Sequence, residues 1–405
     1  MDKKLEFPRG FLWGSAISAH QTEGNNVNSD WWAWEHSPKR IAELKQKGKI
    51  PADFQSGIAC DFWNRYEQDF DLLQKLNQNA FRLSIEWAKI EPKEGEFDKE
   101  AIEHYKKILQ ALHDRGIKSF VTLHHFTLPK WFSDKGGFTK RRNVYFFVRY
   151  AEKAARDLGD FVDFWITFNE PELYSTLPYL TALWPPQMRS FFKARKVAKN
   201  LITAHKTATP VLKKITGKPV SLAYHISDLE PASFWSGFTT AMIHYWTNDY
   251  ILNRTIQHCD YIGVNYYFHH HVGLFGLRHH TKHGHDETDL GWGIHPEGLE
   301  RVLLLLRKYK KPIYVTENGI ADAEDTNREK FIHDHLKYIH SAVEKGADVR
   351  GYLYWSLIDN FEWHEGFAPR FGLVKVDYKT QARKIRLSAY RYAEICKNNG
   401  FKISI

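Results

Sequence analysis

Two glutamates stand directly after apolar runs that have the character of buried strands. Glu170 lies in TFNEP, after the run FVDFWITF, and Glu317 closes the run PIYVTE. Burial disfavours an ionised carboxylate unless another group pairs with it or a reaction uses it. If the two carboxyl groups face each other, one can protonate a leaving atom while the other attacks or activates water. This chemistry depends on the elements that would bring the two glutamates together.

Eight short apolar runs recur along the chain, separated by longer amphipathic stretches. We predict a strand in each run, at residues 11–16, 79–85, 118–124, 161–168, 219–226, 259–267, 312–317 and 350–358. No linker rich in Pro, Ser or Gly divides the chain, so residues 1–405 are predicted to form one domain.

Helix signals occupy the stretches between these runs. Residues 98–116 show an apolar stripe at helical spacing, with Asp98 placed as an N-cap and Gly116 at the end. Residues 296–310 begin with Pro296, which suits a first helical turn, and end with Lys308 and Lys310, which suit a C-terminal dipole. Both segments are therefore predicted to be helices.

Strands that alternate with helices predict the α/β class and a parallel sheet with right-handed crossovers. With eight strands, such a sheet closes as a single (β/α)8 TIM barrel. An open doubly wound sheet is the alternative, but no GxGxxG follows the first predicted strand.

In such a barrel the functional groups stand where the strands run into the loops that follow them. Polar and aromatic residues occupy these positions after most of the runs: Gln21 and Glu23, Arg82, His124 and His125, Asn169 and Glu170, Asn265 and Tyr267, Glu317 and Asn318, and finally Trp355, Glu362 and Trp363. One glutamate at a strand end is most often a structural group satisfied by its neighbours. Convergence from six or more strands instead predicts a substrate site.

The predicted fourth and seventh strands lie across the barrel mouth from each other. Glu170 and Glu317 would then flank one bond of a substrate, and glycoside hydrolysis needs such a pair of carboxylic acids. Arg82 would favour an ionised Glu317, because a nearby guanidinium lowers the pKa of a carboxyl group. Tyr267 could donate a hydrogen bond to the same carboxylate.

Several motifs together resemble glycoside hydrolase family 1, the retaining β-glycosidases. They are TFNEP, YVTENG, FRLSIEW and WSLIDNFEW, with FLWGSA and HQTEG near the start and RFGLVKVDY near the end. The resemblance extends from residue 7 to about residue 397. The chain departs from the family pattern in its shorter length, in Glu172 where an aromatic residue is common, and in the absence of a glycine-rich continuation after it. These departures leave the aglycone preference open.

The resemblance implies roles for individual residues. It makes Glu170 the acid/base, with Asn169 beside it on the 2-hydroxyl of the sugar, and Glu317 the nucleophile, supported by Arg82, Asn265 and Tyr267. It places a stacking platform at Trp355 and contacts to the sugar hydroxyls at Gln21, His125, Glu362 and Trp363. His125 is preferred to His124 because it precedes FTLP.

The implied activity is that of a retaining exo-acting β-glycosidase for terminal non-reducing β-linked sugars. β-D-Glucosides are the first expectation, with galactosides and fucosides also open, and the partner would be a small-molecule β-glycoside or an oligosaccharide. A transglycosidase of the same fold is an alternative within enzymes. A non-catalytic sugar-binding relative is the alternative from another class, and the presence of both carboxylates argues against it.

Residues 269–285 contain seven histidines, a composition that suggests metal binding. The run carries no acidic residue or cysteine of its own, and the implied reaction needs no metal. We therefore expect a polar, pH-sensitive loop near the cleft, with no metal and no cofactor.

The formal charge of +9 and the pI near 9.1 invite a nucleic-acid interpretation. However, Lys and Arg are scattered over amphipathic segments without a groove-reading motif, so we expect no nucleic-acid partner. Three distant cysteines do not suggest a disulfide framework. The N-terminal segment has no apolar h-region and no apolar run reaches about 18 residues, so we expect a cytoplasmic protein without a membrane partner. The oligomeric state stays open.

Overall fold

Eight parallel strands close into a barrel in the computed structural model, which describes residues 2–277 and 287–404. In chain order they are Leu12–Ala16, Ala80–Ser84, Lys118–His124, Phe164–Asn169, Val220–His225, Ile262–Asn265, Ile313–Asn318 and Val349–Trp355. Each strand pairs with the next, and the eighth pairs with the first through Gly351 and Leu12. The predicted (β/α)8 barrel is confirmed, and a strand overlaps every predicted run, with three strands reaching one residue beyond their runs at Asn169, Asn318 and Val349.

Helices connect successive strands and cover the outside of the barrel. The α-helices are Ala19–Thr22, Asp30–Glu35, Pro38–Gln46, Phe62–Lys75, Trp87–Ile90, Lys99–Asp114, Lys130–Asp134, Val144–Leu158, Pro171–Thr176, Phe191–Thr216, Gly237–His244, Tyr250–Thr255, Pro296–Leu306, Arg328–Glu344 and Leu387–Asn398. Short 3₁₀ turns occupy Pro51–Phe54, Gly137–Thr139, Arg141–Asn143, Gly159–Phe161, Phe234–Ser236, Ile256–His258, Arg307–Tyr309 and Trp363–Glu365, and Tyr245–Asp249 forms a π-helix. Among the described residues, no helix combines the length and apolar character that crossing a membrane requires.

The structure confirms the start of one predicted helix and corrects the end of the other. The Asp98 side chain accepts a hydrogen bond from the backbone N–H of Ala101 at 3.0 Å, so this N-cap is confirmed. The predicted helix 296–310 is too long, because the α-helix ends at Leu306 and a 3₁₀ turn follows. Lys310 already has a left-handed backbone, with φ of 53°, which an α-helix cannot continue.

Three small antiparallel or mixed pairings lie outside the barrel. Asp2–Glu6 pairs with Gly400–Ser404, and Val374–Val376 pairs with Arg383–Ile385. Asp228–Pro231 pairs with His269–Gly273, which forms a hairpin with Gly276–Leu277. This last sheet extends the loops that follow the fifth and sixth barrel strands.

The inside of the barrel is filled by buried side chains from strands all around it. They are Ala80, Phe120, Ile166, Ala223, Tyr261, Tyr314 and Leu353. The Phe120 ring stacks on Phe164 with 4.2 Å between ring centroids. A second and larger apolar layer lies between the strands and the helices. The filled interior gives the strand ends a rigid base.

Truncation of the interior tests this packing. Phe120 is fully buried, so Phe120→Ala should lower the free energy of unfolding by about 3–5 kcal/mol through lost burial and a residual cavity. Tyr145→Ala, at a ring that is 65% exposed, is the control and should change it by less than about 0.5 kcal/mol. Denaturant unfolding of the two variants measures the difference; equal effects would contradict the packing described.

Candidate active site

A cavity of about 250 Å³ opens at the carboxyl ends of the barrel strands. Larger surface clefts of about 890 and 640 Å³ lie elsewhere, and the second of these is formed at the opposite end of the barrel. Both glutamates predicted to be catalytic line the 250 Å³ cavity. The position of the cavity is that of active sites in barrels of this type.

Glu170 stands at the junction between the fourth strand and the short helix that follows it. Pro171 begins that helix, and the Glu170 backbone N–H donates to the Ala223 carbonyl of the fifth strand at 2.7 Å. The Glu170 backbone is left-handed, with φ of 40°. Such a conformation is unfavourable for a residue with a side chain, and it persists where the surroundings enforce it.

Glu317 lies one residue before the end of the seventh strand. The glycine of the motif YVTENG, Gly319, is required by the close approach of the eighth strand. A Cβ atom on Gly319 would come within 1.7 Å of the Trp355 carbonyl oxygen, so only glycine lets the seventh and eighth strands approach here. The Glu317 carbonyl accepts from the Tyr266 backbone N–H at 2.9 Å. The backbone around the carboxylate is therefore fixed from both sides.

Both carboxylate oxygens of Glu317 receive hydrogen bonds. The buried Arg82 guanidinium donates to Oε1, and the Tyr267 hydroxyl donates to Oε2 at 2.8 Å. Arg82 also donates to Asn169 Oδ1 at 2.5 Å and to the Thr316 carbonyl at 3.3 Å. Charge-assisted bonds of this kind favour the ionised carboxylate.

Glu170 is held by a second set of contacts. Asn265 Nδ2 donates to Glu170 Oε1 at 2.8 Å and to Asn169 Oδ1 at 3.0 Å. His225 Nδ1 lies 3.7 Å from Glu170 Oε1, and Asn169 Nδ2 lies 3.1 Å from His125 Nε2. One polar network thus joins the two glutamates through Asn169, Asn265 and Arg82.

Burial and mutual repulsion shift the titration of this network. Burial raises the pKa of Glu317 to about 7; the charge of Glu170 adds to the rise, and Arg82 and Tyr267 oppose it. Burial, together with the charges of Glu317 and Glu170, raises the pKa of Glu362 to about 8. Burial also holds the pKa of Tyr267 well above its usual value, so this phenol stays a donor. Carboxyl groups this strongly coupled titrate as a set.

The remaining predicted side chains form the polar and aromatic wall of the cavity. Gln21 Nε2 donates to Glu362 Oε2 at 3.3 Å and to the Phe361 carbonyl at 2.8 Å. The His125 ring is stacked with both Trp355 and Trp363, each with 6.0 Å between centroids. Burial lowers the pKa of His125 well below its usual value, so the ring is neutral.

Nine of the eleven predicted residues line the cavity: Gln21, His125, Asn169, Glu170, Tyr267, Glu317, Trp355, Glu362 and Trp363. Arg82 and Asn265 lie beneath them and act through their hydrogen bonds to the glutamates. His124 does not line the cavity; its ring packs against Phe138, Phe168 and Tyr174.

Sequence reasoning missed part of the lining. The missed residues include Leu173, Leu177, Trp184, His225, Phe268, Trp292, His364 and Phe371. His225 could have been found, because it is the last residue of the fifth strand and the rule of strand ends applies to it equally. Leu173 and Leu177 lie on and just after the short helix Pro171–Thr176, and the other apolar residues lie outside the barrel strands, so the strand-end rule does not identify them.

Glu172, which departs from the family pattern, lies buried behind Glu170. Its Oε2 accepts from the His225 backbone N–H at 3.3 Å. Burial raises the pKa of Glu172 well above its usual value, which favours the neutral form of this carboxyl group beside Glu170.

His269, the first residue of the histidine-rich run 269–285, lies close to acidic side chains from another segment. Asp228 and Glu230 converge with His269 and His295, with one possible ligand atom from each lying within 4.8 Å of the others. The Arg301 guanidinium donates to Asp228, to Glu230 at 2.8 Å and to His295 Nε2 at 2.8 Å. A fixed cation thus neutralises these groups. His279, His280, His283 and His285 lie outside the described residues.

Comparison with known proteins gives consistent matches over the whole chain. The family model described as Glycosyl hydrolase family 1 matches residues 3–261 and 239–401. The chain is 31% identical to Beta-glucosidase A of Acetivibrio thermocellus, over 98% of this chain and 100% of that protein. It is 32% identical to a Beta-galactosidase of Saccharolobus solfataricus, over 97% of this chain and 95% of that protein. A solved structure of a beta-glycosidase from Pyrococcus horikoshii is 40% identical, with a TM-score of 0.90 over 99% of this chain and 97% of that chain.

The raised pKa of Glu362 predicts a pH-dependent stability. In the folded chain the Glu362 carboxyl group keeps its proton up to about pH 8, whereas in the unfolded chain it loses that proton near pH 4.5. The protonated carboxyl group therefore contributes its full share of the free energy of unfolding below about pH 4.5, and this contribution is lost as the pH rises through 8. Glu362→Gln should therefore match the parent in Tm near pH 4 and exceed it by roughly 2 °C or more at pH 9.

Thermal unfolding at several pH values measures this difference. Glu324→Gln, which removes an exposed carboxylate, is the matched control and should give no pH-dependent gain. A gain in Glu362→Gln that is the same at every pH would contradict the shifted pKa.

Proposed function

The chain belongs to glycosyl hydrolase family 1, and on that premise we propose that it is a retaining exo-acting β-glycosidase that cleaves terminal non-reducing β-linked sugars. It is an O-glycosyl hydrolase with the (β/α)8 barrel of its relatives. One observation carries the proposal. Glu317 has a hydrogen-bond donor on each carboxylate oxygen, while Glu170 faces the same cavity and has no Lys or Arg donor among the described residues.

In the first step Glu317 is the nucleophile. Its carboxylate oxygen forms a bond to the anomeric carbon while the glycosidic bond breaks, and Glu170 gives its proton to the departing oxygen. Arg82 and Tyr267 favour the ionised nucleophile and fix its orientation. The leaving group departs as a neutral alcohol, and the sugar stays attached to Glu317 as an ester.

In the second step water replaces the leaving group. Glu170, now ionised, takes a proton from the water, whose oxygen forms the new bond to the anomeric carbon as the bond to Glu317 breaks. Two successive displacements leave the sugar with its original β configuration. Glu170 regains its proton and Glu317 its charge, so the enzyme is restored.

The wall of the cavity supports recognition of a neutral sugar. Gln21, His125, Glu362 and Trp363 line the cavity with donors and acceptors. We assign these four to the sugar hydroxyls, Asn169 to the 2-hydroxyl and Trp355 to stacking on the sugar ring. Relatives of similar identity carry the names Beta-glucosidase A and Beta-galactosidase, which supports both configurations. We take β-D-glucosides as the first substrate. A panel of aryl β-glycosides ranks the others.

The assigned roles of the two glutamates predict different losses. Glu317→Ala should lower kcat by roughly 10⁴-fold or more for every substrate, because no other group can form the ester. Glu170→Ala should impair substrates with poor leaving groups most, because activated aryl groups need little protonation. Rates across a series of aryl β-glucosides measure both effects.

Two further outcomes sharpen this experiment. A small anion such as azide should restore turnover in Glu317→Ala with inverted configuration, because it attacks from the vacated side. Glu324→Ala, at an exposed carboxylate, is the control and should retain full activity. If the two active-site variants respond alike across the series, the roles are wrongly assigned.

The coupled carboxyl groups predict the pH profile. The reactive form holds one proton on the pair, and the pKa of Glu317, raised to about 7 by burial and by its neighbour's charge, marks where the pair loses it. We therefore expect kcat/KM to fall as the pH rises above about 7. A profile that stays flat from about pH 4 to about pH 9 would refute a shared proton.

The same wall predicts discrimination against a 6-phosphate. A phosphate would bring about two negative charges beside Glu362, into a partly desolvated cavity whose catalytic pair already carries a negative charge. Arg370 offers no compensation, because it donates to the Val376 carbonyl at 3.1 Å and lies over the Tyr378 ring. We expect kcat/KM for aryl β-glucoside to exceed that for its 6-phosphate by about a hundredfold, or roughly 2.7 kcal/mol. Equal values in a side-by-side assay would show that Glu362 does not face the sugar.

A further inference from the structure

An aromatic surface stands out from the carboxyl end of the barrel. It consists of large apolar residues whose exposed fractions run from 40% for Trp246 to 102% for Phe275: Phe191, Phe192, Phe234, Trp235, Phe238, Met242, Trp246, Leu274 and Phe275. Single exposed apolar residues are ordinary, but a contiguous group of this size marks an interaction site.

Contacts join these residues into one surface. Phe234 to Trp246 occupy consecutive helical turns without an Asp, Glu, Lys or Arg among them. Thr239 Oγ1 donates to the Leu274 carbonyl at 3.0 Å, which holds the hairpin tip with Phe275 beside these turns. The Phe191 and Trp246 rings lie 6.1 Å apart, which adds the first turn of the helix Phe191–Thr216.

Cations lie beside the aromatic surface. Arg189, Lys193, Arg195, Lys196 and Lys199 are all exposed along or just before the helix that carries Phe191. In the part of the chain that the structure describes, none of the five forms an ion pair. The sequence has no Asp or Glu between residues 173 and 227. The rim of the surface is therefore positively charged and uncompensated.

The nearest acidic residues in the chain are already engaged. Asp228 and Glu230 both pair with Arg301, and Asp249 Oδ2 lies 3.1 Å from His244 Nδ1. Among residues 2–277 and 287–404, they leave the positive rim without a paired counterpart. A partner with negative charge beside an apolar phase would complement both parts of the surface.

We propose that the aromatic surface docks this protein peripherally on an anionic lipid bilayer. Phe, Trp, Leu and Met side chains enter the boundary between headgroups and acyl chains, and the basic rim meets anionic headgroups. A second copy of the chain fits less well, because a twofold contact would bring two uncompensated basic rims together. The sequence led us to expect no membrane partner because no run could span a bilayer, but peripheral docking needs no spanning helix.

The docked orientation has a functional consequence. The aromatic surface is built from the loops after the fourth, fifth and sixth strands, at the end of the barrel where the cavity opens. Phe268, which lines the cavity, directly precedes the strand His269–Gly273 that leads to the hairpin tip. When the protein is docked through the aromatic surface, the cavity therefore lies at the end of the barrel that is nearer to the membrane.

The test uses the full chain and vesicles of phosphatidylcholine alone or with about one-third phosphatidylserine. Co-sedimentation should show binding to the mixed vesicles at least about tenfold tighter than to the neutral ones, and weakened by salt. The combined variant Trp235→Ala, Phe238→Ala and Phe275→Ala should bind the mixed vesicles at least about tenfold more weakly. Lys193→Gln, Arg195→Gln and Lys196→Gln together should abolish the preference for anionic lipid.

Matched controls remove equally exposed groups elsewhere. Tyr145→Ala, Leu387→Ala and Tyr390→Ala match the aromatic variant, and Lys45→Gln, Lys47→Gln and Lys375→Gln match the basic one. Both controls should bind as the parent does, and an unchanged Tm in all variants shows that each is folded. No binding to either vesicle, or equal loss in variants and controls, would overturn the proposal. So would light scattering that shows a dimer dissolved by the aromatic variant without any vesicle binding.

Discussion

The contact between Arg82 and Glu317 is the interaction on which the site depends. A carboxylate at the mouth of a filled barrel loses its hydration, and burial alone favours its neutral form. The guanidinium of the second strand reaches both Glu317 on the seventh strand and Asn169 on the fourth. Arg82 thereby links three strands by hydrogen bonds beside the buried Glu317 carboxylate. The rigid apolar layer beneath supports this arrangement, because movement of any of these strands would separate the partners.

The same contact divides the two glutamates into unequal groups. Glu317 has a cation and a phenol on its oxygens, whereas Glu170 shares an amide donor with its neighbour Asn169. Identical side chains thus lie in different surroundings, and the proposed division into an acid and a nucleophile requires a difference of this kind. Glu362 is a third buried carboxyl group nearby; burial and the charges of Glu317 and Glu170 raise its pKa to about 8, which favours its neutral form.

Much of the fold and part of the site could be predicted, since both follow from patterns along the strands. Alternating apolar runs and caps identified the barrel, and the strand-end rule identified positions such as Glu317. Features set by distant contacts could not be predicted in this way. The pairing of Arg301 with Asp228 joins residues 73 positions apart. The segment from Phe234 to Trp246 has the composition of a buried helix, and only its position outside the barrel shows that its aromatic rings are exposed.

The central claim is that Glu317 forms a covalent intermediate and Glu170 serves as its acid and base. The configuration of the first sugar released tests this claim most directly. Proton NMR of an aryl β-glucoside during turnover should show the β anomer appearing before the slow equilibration to α, because two displacements retain configuration. First appearance of the α anomer would mean a single displacement by water and would contradict the account.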